Sequence, residues 1–198
     1  QGAAYLCYTY DGKTWTEPLQ MYAADTWAFG TSVAVDIPSG SWEGPGTIAV
    51  GERELMWDDD AKGKVHVYGY QYGYTMHSHT LTDPGYLDPE QDNPYFGASV
   101  DVIHDDLLVI GAPQAVWPWG WNDPDGCPIG AIYIYHDLDA SPTLVVNPLP
   151  EDCADSNGGG SFGATVAVSG DTIVVGAPVS NGRRIEGIPY SGMAWRLG

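Results

Sequence analysis

The sequence predicts an all-β protein built from antiparallel, four-stranded blades of the β-propeller type, and three observations lead to this prediction. A Phe-Gly block returns at Phe29, Phe96 and Phe162, at intervals of 67 and 66 residues. An apolar segment that ends in Gly-Glu or Gly-Ala-Pro follows each block. The 26 Gly and 15 Pro residues are typical of short strands joined by turns. Self-similarity at such a period indicates a repeat architecture.

The first two strands of each repeat run from Phe-Gly to the end of the apolar segment. In residues 107–111 and 172–176 both alternating sets are apolar, which predicts strands that are buried on both faces. The connection Ser169-Gly-Asp171 is short enough for a tight hairpin, so these strands are expected to be antiparallel. The glycine of Gly-Ala-Pro permits close approach of the backbone, and the proline ends the strand.

A glycine followed by an apolar segment marks the third strand of each repeat, and a weaker segment marks the fourth. Third strands are predicted at 2–7, 63–68, 130–135 and 192–197, and fourth strands at 14–20, 79–82 and 143–146. The predicted units are a partial blade at 1–28, a first repeat at 29–95, a second at 96–161 and a partial third at 162–198. Because propellers close with about four to eight blades, about three repeats cannot close alone.

The paired blocks resemble the FG-GAP repeats that build the β-propeller of integrin α subunits. Similar repeats occur in many secreted and cell-surface proteins and in a fungal lectin family, so the resemblance implies an extracellular module that binds or builds. Integrin repeats often carry a calcium loop, D-x-D/N-x-D-G, between the first two strands. Here Ile103-His-Asp-Asp106 and Ser169-Gly-Asp171 stand in that place, so the metal site of the family does not carry over.

Charge and cysteine content restrict the classes of partner and the compartment. A formal net charge of −19 opposes binding to nucleic acid and to anionic membranes. The sequence has no apolar run of about 18 residues, so no membrane-spanning helix is predicted. Cys127 and Cys153 could close one disulfide in an oxidising compartment. Cys7 is then either a small buried residue or a link to another chain.

Acidic residues cluster in two equivalent loops that follow the second strand of a repeat. Carboxylates at such loop tips could hold Ca²⁺, with water completing the coordination, or could form plain solvated loops. Both interpretations stay open, and no cofactor is required by the sequence. The candidate metal ligands are Asp58, Asp59, Asp60, Asp123 and Asp125.

Aromatic residues are abundant, with 8 Trp and 13 Tyr. Four tyrosines, at positions 68, 70, 72 and 74, alternate and would line one face with His66 if the strand continued. They could stack on sugars, contact a partner, or pack between blades. The tryptophan-rich loop 117–121 is harder to bury because Pro and Gly interrupt it. The candidate contact residues are Trp117, Trp119, Trp121, Tyr70 and Tyr72.

Catalytic motifs are missing from the sequence. His77 and His79 could share one strand face, but no third ligand stands at a spacing suited to zinc. The sequence contains no nucleophile elbow, phosphate-binding loop or HExxH motif, so we expect a protein that is not an enzyme.

These observations predict an extracellular structural or adhesive unit of a cell-surface assembly or filament. Incomplete blades at the two ends would join other copies of the chain head-to-tail, or the rest of a longer propeller, because free strands tend to pair. The alternative is a lectin-like, carbohydrate-binding module that uses the 117–121 loop and nearby acids such as Asp123.

Overall fold

The computed structural model shows an all-β chain in the residues that it describes. These are residues 2–9, 11–23, 28–37, 46–53, 63–71, 74–84, 95–103, 107–114, 130–146, 161–178 and 193–197. No helix in this part of the chain is long and apolar enough to span a membrane.

The described strands form four antiparallel sheets, and in each sheet the strands are ordered along the chain. The N-terminal pair contains β1 (Ala4–Leu6) and β2 (Leu19–Met21). The first complete sheet contains β3 (Phe29–Asp36), β4 (Gly46–Glu52), β5 (Lys64–Gln71) and β6 (Tyr74–Thr82). The second complete sheet contains β7 (Ser99–Ile103), β8 (Leu107–Ala112), β9 (Ala131–Tyr135) and β10 (Thr143–Val146). The C-terminal sheet contains β11 (Thr165–Ser169), β12 (Thr172–Ala177) and β13 (Met193–Leu197).

This arrangement confirms the predicted fold class and the predicted order of strands. The N-terminal pair corresponds to strands three and four of a blade, and the C-terminal sheet corresponds to strands one to three. The predicted hairpin is present, since Ser169 pairs with Thr172 and Gly170 adopts a φ of 53°. The fourth strand at 14–20 is displaced, because only Leu19–Met21 forms a strand and Trp15 makes an isolated bridge with Thr9.

Three apolar layers separate the four sheets. Between the two complete sheets, buried Val65, Val67 and Ile110 belong to one core cluster. Ile48 and Val50 pack toward the N-terminal pair in a second cluster, and a third lies between the second complete sheet and the C-terminal sheet. The first strands of successive sheets are neighbours, since β7 contacts both β3 and β11. Stacked sheets with neighbouring first strands are what a propeller requires.

Glycine-to-glycine approach sets the distance between successive sheets. A Cβ atom at Gly51 would overlap the carbonyl oxygen of Gly97, and a Cβ at Gly111 would overlap that of Gly163. The same carbonyls accept hydrogen bonds from the sheet before them, with Oγ-to-oxygen distances of 2.8 Å for Ser32 to Gly97 and 2.8 Å for Ser99 to Gly163.

The Phe-Gly turn itself requires glycine. Gly30, Gly97 and Gly163 adopt φ values of 91°, 84° and 90°, in the region that L side chains rarely occupy. In each case a Cβ would also meet a carbonyl oxygen from the start of the third strand. The Phe-Gly and Gly-Ala-Pro blocks therefore recur because adjacent sheets dock through them.

One expectation about burial is only half met. β8 is buried on both faces, as predicted, but β12 alternates and its Val174 is 43% exposed. The equivalent Val109 in β8 is fully buried, because the C-terminal sheet covers it. Two-sided burial thus depends on a following sheet and not on the strand sequence alone.

We predict that Gly111→Ala lowers the free energy of unfolding by about 2 kcal/mol or more, because the added Cβ must force two sheets apart. Gly69→Ala is the matched control, since a Cβ there meets only the Met76 carbonyl oxygen at 3.9 Å. Urea titration followed by tryptophan fluorescence measures both variants. Equal stability of the two variants would show that the close approach between glycines does not hold the sheets.

Candidate interaction surfaces at the two ends of the stack

Most residues of the sequence-predicted sites lie outside the described part of the chain, so the predictions for them stay predictions. These residues are the candidate metal ligands Asp58, Asp59, Asp60, Asp123 and Asp125, the contact residues Trp117, Trp119, Trp121 and Tyr72, and the candidate disulfide Cys127 and Cys153. Among the described residues no group of three or more His, Cys, Asp or Glu side chains could hold a metal ion.

Tyr70 is the one predicted contact residue that the structure describes, and it is buried. With Tyr68 it packs against the N-terminal pair, and its ring meets that of Tyr8 at a centroid distance of 6.4 Å. The predicted tyrosine ladder does not extend to Tyr74, which begins β6 opposite Gln71 and is exposed. Of the three interpretations, packing between blades describes Tyr70, whose ring is buried.

A polar cluster that the sequence did not predict lies on the same face as Tyr70. The Nε2 atom of His66 lies 2.7 Å from Glu52 Oε2, and both side chains are largely buried. Thr80 Oγ1 lies 3.3 Å from His66 Nδ1 and 2.9 Å from His77 Nε2. The Phe29 ring covers His66 at a centroid distance of 5.3 Å.

This cluster satisfies a buried histidine. Both ring nitrogens of His66 have a hydrogen-bond partner. A buried imidazole needs such partners because burial removes its hydrogen bonds to water, and leaving a nitrogen unpaired would destabilise the fold. Burial raises the pKa of the nearby Tyr68 hydroxyl, and the negative charge of Glu52 raises it further. A signal was present in the sequence: the first repeat has Glu52 and His66 where the second has Ala112 and Tyr133, so the two departures are paired.

A bulge overturns the expectation that His77 and His79 share one face. The register between β5 and β6 shifts at Val67, so His79 pairs with Val67 and His77 pairs with Tyr68. His77 therefore lies near the Tyr68 ring, at 5.3 Å, whereas His79 reaches Asp139 at 3.4 Å. An extra residue in one strand reverses the alternation beyond it.

A cavity of about 190 Å³ opens between the two complete sheets. Thr47, Tyr68 and Ser78 line one side, and Leu108 and Tyr135 line the other. Ligand pockets usually measure about 300–1,000 Å³, so this space suits a few water molecules rather than an organic ligand.

Exposed valines mark the N-terminal end of the stack. Val33 and Val35 in β3 are 61% and 57% exposed, although their equivalents in β7, Val100 and Val102, are 7% and 5% exposed. β3 and β4 cover β7 of the next sheet, but the N-terminal pair has no described strand in the corresponding place over β3. The valines are exposed because, in the part of the chain that the structure describes, no strand covers β3 as β3 and β4 cover β7.

The outer face of the N-terminal pair is also apolar and exposed. Tyr5 in β1 and Tyr22 beside β2 are both largely exposed, and Cys7 is an exposed free thiol. Tyr5 is the repeat equivalent of Tyr133, which is buried against the preceding sheet and donates a hydrogen bond of 2.9 Å to Asp83. At the position equivalent to Tyr5, the second complete sheet thus has a side chain that the preceding sheet covers.

The loop that joins β1 to β2 is held by one carboxylate. Asp11 Oδ1 accepts hydrogen bonds from the backbone N–H groups of Thr14 and Lys13, at 2.6 and 2.8 Å. These bonds hold the pKa of Asp11 well below its ordinary value. Because folding lowers the pKa of the Asp11 carboxyl group, these hydrogen bonds stabilise the folded state fully at pH values above the pKa in the unfolded chain. This stabilisation is lost as the pH falls through the pKa in the folded state.

The C-terminal end shows the complementary face. Val174 is exposed there, and Thr165 and Ala167 are exposed beside it on β11. Thr165 is the repeat equivalent of Ser32 and Ser99, whose hydroxyls each donate to a glycine carbonyl of the following sheet. The two ends of the stack thus carry the two halves of the contact that the internal sheets make with one another.

We predict that Glu52→Ala lowers the free energy of unfolding by about 1–3 kcal/mol, because it leaves a buried nitrogen of His66 without its partner. Glu52→Gln, which can still form a hydrogen bond, should cost less. Asp139→Ala is the control, since it breaks an exposed histidine pair and should change stability by less than about 0.5 kcal/mol. Chemical denaturation at neutral pH compares the three variants. A loss at Asp139 as large as that at Glu52 would contradict the role of burial.

Comparison with known proteins supports the repeat assignment. The family model described as FG-GAP repeat matches residues 153–194. No curated protein sequence matches the chain. The matched segment contains the Phe162-Gly163 block and the Gly176-Ala-Pro178 block, and the structure repeats the same docking of these blocks in the two earlier sheets. Residues 153–194 thus match the FG-GAP repeat, and they lie in a chain of four antiparallel, propeller-type sheets.

Proposed function

We propose that the protein is an extracellular, non-enzymatic unit of a cell-surface assembly or filament, with a structural or adhesive role. Its subunits associate head-to-tail through their incomplete end blades. The observation that carries this proposal is the exposure of Val33, Val35 and Val174, since the equivalent residues of the internal sheets are buried. When apolar residues are exposed in one repeat and their equivalents in other repeats are buried between sheets, the exposed residues are expected to make the same kind of contact with a partner.

Two further features support an assembly in an extracellular medium. Residues 153–194 match the FG-GAP repeat, and the resemblance to repeats of secreted and cell-surface proteins implies an extracellular setting. The net charge of −19 keeps copies apart when they meet at random, so association is favoured only where apolar faces match. Ca²⁺ bound by the acidic loops stays a prediction, which a melting curve with and without a chelator would decide. The lectin-like alternative also stays a prediction, and a glycan array tests it.

We predict association that increases with protein concentration and with salt, because salt screens the repulsion between acidic copies. Sedimentation velocity at low and physiological ionic strength measures it, and electron microscopy of the product distinguishes filaments from discrete particles. A single monomeric species under all conditions would contradict the proposal.

The double variant Val33→Asp/Val35→Asp should weaken this association at least about tenfold, because two carboxylates would have to lose water in the contact. The matched control is Tyr74→Asp/Met76→Asp, which also adds two charges at exposed residues, on β6 at the opposite edge of the same sheet. Circular dichroism and thermal melting should show that both variants keep the fold. Equal effects of the two variants would indicate a contact unrelated to the end faces.

A further inference from the structure

We infer that the partner at the N-terminal end is the β11–β12 hairpin of a second copy, and that β1 replaces β13 in that copy's last sheet. The inference rests on the proposed head-to-tail association and specifies its contacts. The product is one four-stranded blade, with strands one and two from the first copy and strands three and four from the second.

The edge of β1 is available for this pairing. Among the described residues β1 pairs only with β2, whereas its equivalents β5 and β9 each pair with a second strand on the other side. β1 also packs on the first complete sheet in the way that β5 and β9 each pack on the sheet that follows them. A Cβ at Gly2 would overlap the Phe29 carbonyl oxygen, just as one at Gly63 or Gly130 would overlap that of Phe96 or Phe162. An edge strand in place beside a gap favours strand addition.

The register of the shared blade follows from the repeats. In the second complete sheet Val109 pairs with Ile134, four residues after Gly130, and in the C-terminal sheet Val174 pairs with Arg196, four residues after Gly192. The residue four positions after Gly2 is Leu6. In the shared blade Val174 therefore pairs with Leu6, Val175 with Tyr5, and Ile173 with Cys7.

This register explains why β1 suits the position better than β13. β13 places Arg196 opposite Val174, where the two complete sheets have Val67 opposite Ala49 and Ile134 opposite Val109. Cross-strand partners lie on the same face of a sheet, so an apolar residue at this position continues the apolar layer. Leu6 from a second copy restores that pattern.

The exchange also completes the glycine contact that both ends lack. With the hairpin in place, the carbonyl group of Gly30 in the second copy takes the position over Gly176 that Gly97 takes over Gly51. Thr165 then donates a hydrogen bond to that carbonyl, as Ser32 and Ser99 donate to theirs. In the same step Val33 and Val35 of the second copy become covered by Ala167 and Val174 of the first.

Strand counting supports a second copy as the partner. Among the described strands, the N-terminal pair lacks strands one and two of a blade, and the β11–β12 hairpin without β13 lacks strands three and four. The pair of one copy and the hairpin of another therefore add up to one four-stranded blade. Exchange of identical elements between copies is a common route to such assemblies.

Disulfide trapping tests the register directly. Under mild oxidation, Ile173→Cys should give covalent dimers through the native Cys7, and peptide mapping should identify a link between positions 7 and 173. Ile173→Cys combined with Cys7→Ser is the control and should give no such link. Because Ile173 is buried, a second pair tests the same register without changing a fully buried residue. It combines half-buried Leu6→Cys with exposed Val174→Cys in the Cys7→Ser background.

Sedimentation velocity of the untreated protein, run in parallel, separates this inference from the proposed function. Assemblies that form but yield neither link would overturn strand exchange and leave head-to-tail association standing. Absence of any assembly would overturn both. As an independent measure, Thr165→Val should weaken association about threefold to tenfold through the lost hydrogen bond, and Thr165→Ser should retain it. Equal association of these two variants would count against the contact with the Gly30 carbonyl.

Discussion

The close approach of one glycine backbone to the next sheet is the constraint on which the rest of this structure depends. Gly51 and Gly111 leave room for the carbonyl groups of Gly97 and Gly163, and a serine hydroxyl fixes each of those carbonyls at 2.8 Å. Once this contact sets the separation, the valines of the following first strand are within reach of the sheet before them. Burial of Val100 is thus a consequence of a backbone contact, which explains why the glycines recur more regularly than the apolar residues around them.

The sequence predicts the strands well because their pattern is local. Each apolar segment and its flanking glycine determine a strand without reference to its neighbours, so the four-strand order could be derived from spacing alone. Exposure at the ends could not be derived in the same way. Val109 and Val174 stand in nearly the same sequence, but only Val109 has a sheet over it. The bulge beside Val67 was not predicted either: Gly69 stands close to it in β5, but the extra residue is Ser78 in β6, an ordinary polar strand residue.

The site was less predictable than the fold for a physical reason. Loops rich in acids or tryptophan are recognised by their composition, whereas the exposed end faces consist of ordinary strand residues. Val33 looks like any core valine, and only its comparison with Val100 shows that its cover is missing. The pair Glu52 and His66 was detectable in principle, since both depart from the repeat at once, but a single departure such as Gly51-Glu-Arg looks like decay of the motif.

The two end faces are complementary to each other and not to themselves. In the proposed assembly such a contact is heterologous, so copies would add in one direction and the series would either close into a ring or continue as a filament. The high negative charge opposes lateral contact between copies, which favours association through the apolar end faces. In that proposal, the glycine contact that sets the distance between sheets within one copy also sets the distance between the end sheets of neighbouring copies.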